Sequence, residues 1–446
     1  MTRSAPSQRT ALWRLAGIGA VLLASTLAGP AVHLRLGDPA FTALAITQGL
    51  LVLLAVRVAA QCAPRPALVL IAIVAVGLRL LLLPVAPHLS TDAYRYVWDG
   101  RVQAAGINPY RHVPADPALA PLRDEAIFPR INRADYAVTI YPPAAQILFL
   151  LAANTIGDGL LAMKLVLILC EIVTALVLLD LLRRLGRPPT QVLAYAWHPL
   201  AVWEIAGSAH VDAAMVAAMM LGLWLALVPG RRLPAAAILA VAALIKPPAA
   251  LALSAVWRAW DWRAPLVAIA VALALYLPYL SVGTGVIGFL PGYLGEERIA
   301  TGDGFWLLAS LQALFGPLPW ARPLYLGAAG LLLGALALRV ALDADRTPLA
   351  VLTRLFWLVL AFLLLLSPDY PWYWMILLPF LALLGPAPAW AGTIACFLLY
   401  DVIDEGLEID FALRDTALHL IVLAMLPFAL RWRRAPRPIP AGDPAR

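Results

Sequence analysis

The side chains most able to do chemistry are concentrated in one polar stretch, residues 90–110, which reads STDAYRYVWDGRVQAAGINPY. It contains two carboxylates, Asp92 and Asp99, and two guanidiniums, Arg95 and Arg101. Such a carboxylate acts as a general base, binds a cation or forms half of a structural ion pair, and a guanidinium binds phosphate or anchors the chain to lipid headgroups. We expect Asp92 to be the chemical carboxylate and Asp99 to be mainly structural.

A second polar group follows further along the chain. His210 and Asp212 stand two residues apart, where they could ligate a metal, form an acid–base pair or start a helix. A metal site is not favoured, because only two ligands are local. Lys246 precedes a Pro-Pro pair that is expected to break the helix within an apolar run. Its ammonium is expected either to meet a lipid phosphate or to extend to the membrane interface.

The last third of the chain adds charged and aromatic candidates. Glu296 and Arg298 lie in a polar connection between apolar runs, and Trp372 and Tyr373 belong to the sequence PWYW. The aromatic residues are typical of a belt at the membrane interface, and they would equally form a stacking wall for a sugar ring or a prenyl chain.

Composition defines the scaffold that must position these residues. Of 446 residues, 63% are hydrophobic and 13% are charged, a balance far from that of soluble proteins. Many windows of about 20 residues are nearly free of charge and rich in Leu and Ala, which predicts an all-α polytopic membrane protein and not a barrel. The formal charge of +7 comes from arginine clusters between the apolar runs, so the expected partners are membrane lipids and not nucleic acid. Three cysteines without paired spacing argue against a disulfide framework.

Arginine position also predicts the topology. With each arginine cluster on the cytoplasmic side, the chain forms about 12 to 14 membrane segments with both termini inside. The first helices are expected near 12–32, 41–60 and 66–86, and a half-helix follows the Pro-Pro pair after Tyr141. We expect a single domain, 1–434, with outer loops at 88–141 and 282–304, and a disordered cytoplasmic tail, 435–446.

This topology places nearly all the unusual polar groups on one side of the membrane. Asp92, His210, Lys246, Glu296 and Asp369 all fall at or near the predicted outer face. Ionisable groups at membrane depth cost several kcal/mol unless they are paired or hydrated. Their convergence therefore indicates a water-accessible site.

Several motifs resemble those of a known family. The segment DAYRYVWDGRVQAAGINPY from Asp92 to Tyr110, the YPP beginning at Tyr141, the segment 198–212, the KP at Lys246 and the PWY ending at Tyr373 occur in the order seen in the bacterial glycosyltransferase-C superfamily. The nearest branch is its polyprenol-phosphate mannosyltransferase-like (GPI-mannosyltransferase-like) members. The resemblance implies a multi-pass enzyme of the bacterial inner membrane, with a GT-C-like helical bundle, interfacial half-helices and an active site facing the periplasm.

The resemblance also implies the reaction and the roles of residues. A hexose, with mannose as the implied sugar, passes from a polyprenyl-phosphate-sugar donor to a hydroxyl of a lipid-linked or cell-envelope glycan acceptor, with inversion and no cofactor. Asp92 maps to the family's base, although many relatives have two adjacent acids where this chain has Thr91 before Asp92. That departure weakens the case for a divalent metal. For this reaction, our candidate donor-phosphate ligands are Arg95, Lys246 and Arg298, and our candidate substrate contacts are Tyr94, Asp99, Arg101, Tyr141, His210, Asp212, Glu296, Trp372 and Tyr373.

Two other functions fit a chain of this composition. A transporter or flippase of a lipid-linked saccharide would also have many helices and a groove for an amphiphile, and a non-catalytic assembly subunit would keep the fold without needing the Asp92 cluster. A transporter should carry polar groups along a route to both faces. Here the inner-face polar residues are nearly all arginines flanking apolar runs, which favours the enzyme.

Overall fold

A computed structural model describes residues 7–299, 301–302, 304–316, 320–400 and 411–432. These residues are helical and contain no β-strand, which confirms the all-α class. The predicted tail, 435–446, lies outside them. The α-helices longer than four residues are α1 (Gln8–Ala59), α2 (Pro64–Leu82), α3 (Asp92–Ala104), α4 (Pro143–Thr155), α5 (Leu160–Arg184), α6 (Asp212–Ala226), α7 (Arg232–Ile245), α8 (Arg263–Tyr276), α9 (Leu290–Glu296), α10 (Trp306–Phe315), α11 (Ala321–Leu342), α12 (Pro348–Leu366), α13 (Leu378–Leu384), α14 (Ala387–Ala395) and α15 (Phe411–Trp432).

Helix α1 folds back on itself and forms a hairpin. Its backbone leaves helical geometry at Gly37, where φ is 76°, a value that glycine adopts at little cost. The side chain of Gln48 donates to the hydroxyls of Ser25 and Thr26 at 2.9 and 3.2 Å. A straight helix of this length would extend about 78 Å and keep these residues far apart. The two helices predicted near 12–32 and 41–60 are therefore the two arms of α1.

The described residues contain seven helices long and apolar enough to cross a membrane, or eight if the bent pair Pro199–Gly207 and Asp212–Ala226 forms one span. The prediction of 12 to 14 segments is not confirmed. Part of the difference is the α1 hairpin, which counts once by length. The remainder consists of short apolar helices such as α4 and α7, each about 20 Å long and too short to cross about 30 Å of hydrocarbon alone.

Helix breaks place polar side chains at one end of the bundle. Helix α7 ends at Ile245, and the extended backbone of the next residue, Lys246 (φ −150°, ψ 126°), is the conformation favoured before a proline. This confirms the predicted break. The segment Pro199–Gly207 meets α6 at a bend of 119°, and Ala209 takes a positive φ of 56° within it. His210 and Asp212 lie at this bend, so both breaks deliver side chains to the same region.

The predicted outer loop, 88–141, contains a well-packed helix, α3, as well as irregular structure. Nearly every residue from Ala93 to Gly100 is buried, because α3 packs against α4. Gly100 permits the close approach, since a Cβ at this position would lie 2.5 Å from the carbonyl oxygen of Phe149. The polar segment is thus anchored to the helical bundle by its own helix.

Helix α7 separates two chemically different ends of the molecule. Arg232 begins the helix and Lys246 follows its last residue, a separation of about 21 Å along the axis. Arg232 lines an arginine-rich cavity, whereas Lys246 lines a cavity that also contains Asp92. The arginines of the second cavity therefore lie at the opposite end of α7 from Lys246 and the cavity that contains Asp92.

Candidate active site

A cavity of about 460 Å³ lies where α3, the break after α7 and the segment 370–373 meet. This volume falls in the range of small-molecule sites. Of the residues named from the sequence, it is lined by Asp92, Arg95, Tyr141, Lys246, Trp372 and Tyr373. The structure thus brings together candidates that are as much as 281 positions apart in the sequence, from Asp92 to Tyr373.

Asp92 is the first residue of α3, where the helix N-terminus favours negative charge. Its Oδ1 accepts a hydrogen bond of 2.9 Å from the amide of Asn132, and its Oδ2 accepts one of 3.3 Å from the hydroxyl of Tyr141. Burial and the Asp92 carboxylate raise the pKa of Tyr141 well above its usual range, so the phenol stays protonated and acts as the donor. Each carboxylate oxygen keeps a free lone pair for a proton.

Lys246 provides a fixed positive charge in the same cavity. Its ammonium donates to both carboxylate oxygens of Asp212 at 2.8 and 2.9 Å. It also lies 4.0 Å from the centre of the Tyr373 ring, a cation–π distance. Asp212 is only 1% exposed and does not line the cavity. It therefore contacts the ammonium of Lys246 on the buried side, away from the cavity.

Two stacked rings, Tyr370 and Trp372, form one wall of the cavity, and a third ring, His210, stacks behind them. Tyr370 stacks on Trp372 with centroids 4.5 Å apart, and the buried ring of His210 stacks on Trp372 at 4.1 Å. Nδ1 of His210 lies 2.7 Å from a carboxylate oxygen of Glu204. His210 is therefore placed behind the aromatic wall, where it supports Trp372.

Arg95 borders the cavity but is already bonded to protein groups. Its Nε donates to Asp99 at 2.9 Å, and its Nη1 donates to the carbonyl of Ala137 at 3.1 Å. Asp99 is 1% exposed and also accepts a hydrogen bond from Gln146 of α4. This network ties α3 to α4, and Asp99 does not line the cavity.

The other predicted contacts lie outside the cavity lining. Arg101 bonds Asp124 at 2.8 Å and also contacts Asp158, and the ring of Tyr94 faces Arg130. Glu296 accepts hydrogen bonds from Arg133 and Tyr136, which joins the second predicted outer loop to the first. Arg298 pairs with Asp369 at 3.2 Å.

Several lining residues were not identified from the sequence, namely His88, Asn132, Arg133, Tyr370 and Tyr400. Asn132 is the most important of them, because it bonds Asp92 directly. Its position in the long polar segment 88–141 was the only available signal. Burial and the nearby His33 lower the pKa of His88 to about 4, so this imidazole is neutral at physiological pH.

Comparison with known proteins identifies the family to which the chain belongs. A family model described as alpha-(1->6)-mannopyranosyltransferase, N-terminal domain (the MptA/B family), matches residues 14–263, more than half of the chain. The chain belongs to this family. The resemblance to glycosyltransferase-C, mannosyltransferase-like membrane enzymes is thereby confirmed. No curated protein matches the chain, and no solved structure does.

Membership of the MptA/B family makes the protein a glycosyltransferase of a mannosyltransferase family. The matched residues include Asp92, Asn132, Tyr141 and Lys246, together with His210 and Asp212. The aromatic wall around Trp372 and the pair of Arg298 with Asp369 lie beyond the match. Asp92 and Lys246, the carboxylate and the ammonium that line the cavity, thus belong to the part of the chain that carries the family relationship.

Proposed function

We propose that this protein transfers mannose from a polyprenyl-phosphate-mannose donor to a hydroxyl of a lipid-linked or cell-envelope glycan, with Asp92 as the general base. The observation that carries the proposal is that one cavity contains an oriented carboxylate, Asp92, and a fixed ammonium, Lys246. A sugar phosphate donor requires this combination, because a proton leaves the acceptor while negative charge develops on the phosphate.

The proposed step is a single displacement. The acceptor oxygen attacks the anomeric carbon, its proton passes to a free lone pair of Asp92, and the bond between the anomeric carbon and the phosphate oxygen breaks. The polyprenyl phosphate leaves with that electron pair, and Lys246 stabilises the additional negative charge. Asn132 and Tyr141 hold the base in position, and Trp372 offers an apolar face against which a sugar ring can stack.

One displacement inverts the anomeric centre. The family description specifies an α-(1→6) linkage. If this chain forms the same linkage, its donor must carry mannose in the β configuration. The proposal of inversion and the proposal of a β-configured donor are therefore either both right or both wrong.

The placement of the site at the extracytoplasmic face of a bacterial inner membrane is also part of the proposal. It is supported by the separation of the Asp92 cavity from the arginine-rich end by the length of α7. Arginine-rich connections are characteristic of the cytoplasmic side.

The test uses the full chain in proteoliposomes with a polyprenyl-phosphate-mannose donor and a mannoside acceptor. Asp92→Asn removes the base with little change in volume, and we expect transfer to fall about 10²- to 10⁴-fold. Asp135→Asn is the matched control, because Asp135 is an exposed carboxylate of the same polar segment outside the cavity, and it should leave transfer unchanged. Full transfer by Asp92→Asn would refute the assignment of the base. Passage of sugar across the bilayer without a new glycosidic bond would indicate a flippase instead.

A further inference from the structure

The second large cavity has a volume of about 540 Å³ and lies at the arginine-rich end of the molecule. It is formed around the start of α7, the connection that precedes α8, and the start of α12. Arg232, Arg258, Arg263 and Arg346 contribute to its lining, with aliphatic walls from residues such as Leu227 and Leu352. We call this cavity the inner arginine pocket.

Its positive charge is only partly neutralised. Asp261 forms a very close ion pair with Arg232, and its other carboxylate oxygen lies 3.9 Å from Arg263. Among the residues that the structure describes, no carboxylate lies within salt-bridge distance of Arg258 or Arg346. Arg258 and Arg346 thus form no salt bridge within the described part of the chain, and the nearby carboxylates of Asp261 and Asp343 pair with other arginines.

These two guanidiniums converge on the same backbone oxygen. Arg258 donates to the carbonyl of Ala255 at 3.1 Å, and Arg346 donates to it at 2.7 Å. Burial, together with Arg258 and Arg354, lowers the pKa of Arg346 to about 10, so the side chain remains charged at neutral pH. Two half-buried positive charges that share a carbonyl repel each other, and a bound anion would relieve that repulsion.

The surroundings of the pocket indicate a membrane interface. Trp260 and Trp262, next to Arg258 and Arg263 in the chain, are 90% and 60% exposed. Exposed tryptophan is typical of the level of the lipid headgroups. Beyond Arg263, helix α8 presents exposed Leu266, Ile269 and Leu273, whose spacing of three and four residues places them on one face. An apolar face suited to acyl chains thus begins beside the arginines.

We propose that the inner arginine pocket binds the phosphate headgroup of an anionic phospholipid, with the acyl chains lying along α8. Arg258 and Arg346 provide the charge, and the aliphatic walls accommodate the glycerol region. Basic pockets between helices on the cytoplasmic side bind such headgroups in this way. This site is distinct from the Asp92 cavity, and the proposal does not depend on the transfer reaction.

The test measures stabilisation of the full chain in neutral detergent during titration with phosphatidylglycerol, phosphatidylcholine or inorganic phosphate. We expect phosphatidylglycerol to raise the unfolding temperature with saturation and the other two probes to have little effect. Each arginine near anionic lipid contributes a factor of about five, so Arg258→Gln should raise the half-saturating concentration about fivefold and Arg258→Gln/Arg346→Gln about thirtyfold. The matched control is Arg65→Gln/Arg183→Gln, which removes the same charge from exposed arginines outside the pocket and should change the half-saturating concentration less than about twofold.

Three outcomes would overturn the proposal. Equal stabilisation by phosphatidylcholine would remove the role of charge, and an equal loss in the control variant would show a diffuse surface effect. Arginine-dependent stabilisation by inorganic phosphate would indicate a soluble anion in place of a lipid. If the double variant does not fold, the single variant Arg258→Gln provides the test. We expect this variant to fold, because the hydrogen bonds found for Arg258 are local ones, to the carbonyls of Ala255 and Trp257.

Discussion

The ion pair between Lys246 and Asp212 allows the structural role of Lys246 to be separated from its role in transfer. Asp212 is 1% exposed and bonds the ammonium through both oxygens. Lys246→Met would leave this carboxylate buried without a partner. Removing one member of a buried pair typically costs about 3 to 5 kcal/mol, so we expect the single variant to be clearly destabilised.

The double variant Lys246→Met/Asp212→Leu removes both charges at once. Replacement of a buried pair by apolar residues of similar volume is often neutral or stabilising, so most of the lost stability should return. Transfer should not return, because the leaving phosphate would still lack its positive charge. Loss of one electrostatic contact to a developing charge costs about 10²- to 10³-fold in kcat.

Two assays on the same preparations distinguish these effects. Thermal unfolding in detergent measures stability, and initial rates in proteoliposomes give kcat and KM. The expected result for the double variant is near-normal unfolding with kcat still reduced about 10²-fold or more. A double variant that recovers both stability and transfer would refute a role for Lys246 in the reaction, because the ion pair would then be purely structural.

Three further substitutions test the surroundings of Asp92. Asn132→Ala removes one of the two hydrogen bonds that orient the base and should lower kcat about tenfold with little effect on KM; an unchanged kcat would show that Tyr141 suffices. Trp372→Ala removes the aromatic face of the cavity and should raise the KM of the mannosyl donor up to about tenfold, whereas Trp372→Phe should restore most of the affinity. Gly100→Ala places a Cβ against the carbonyl of Phe149, so it should lower the unfolding temperature by separating α3 from α4; wild-type stability would mean that α4 shifts without cost.

Local signals in the sequence were sufficient to predict most helix positions. Apolar runs between arginine clusters predicted the two arms of α1 and helix α2, and the Pro-Pro pair predicted the break at Lys246. The predicted number of membrane segments is not confirmed, because apolar runs of 10–17 residues are long enough to form helices but too short to span alone.

Contacts between distant residues account for what the sequence could not predict. Asn132 bonds Asp92 across 40 positions, and His210 stacks on Trp372 from a different helix break. No periodic pattern or motif in the sequence predicts either contact. The spacing of Arg95 and Asp99, four residues apart, did carry a usable signal, because such a pair on a helix is a common ion pair. This spacing is consistent with helix α3, which lies within the segment 88–141 that was expected to be an outer loop.

The stereochemistry of a single turnover shows whether transfer proceeds by one displacement with Asp92 as the base. Reconstituted protein would receive a β-configured polyprenyl-phosphate mannose, and the anomeric configuration of the new bond would be determined by NMR. We expect an α-mannosyl product whose formation depends on Asp92. A β-mannosyl product, or transfer by Asp92→Asn at the wild-type rate, would contradict a single displacement with Asp92 as the base.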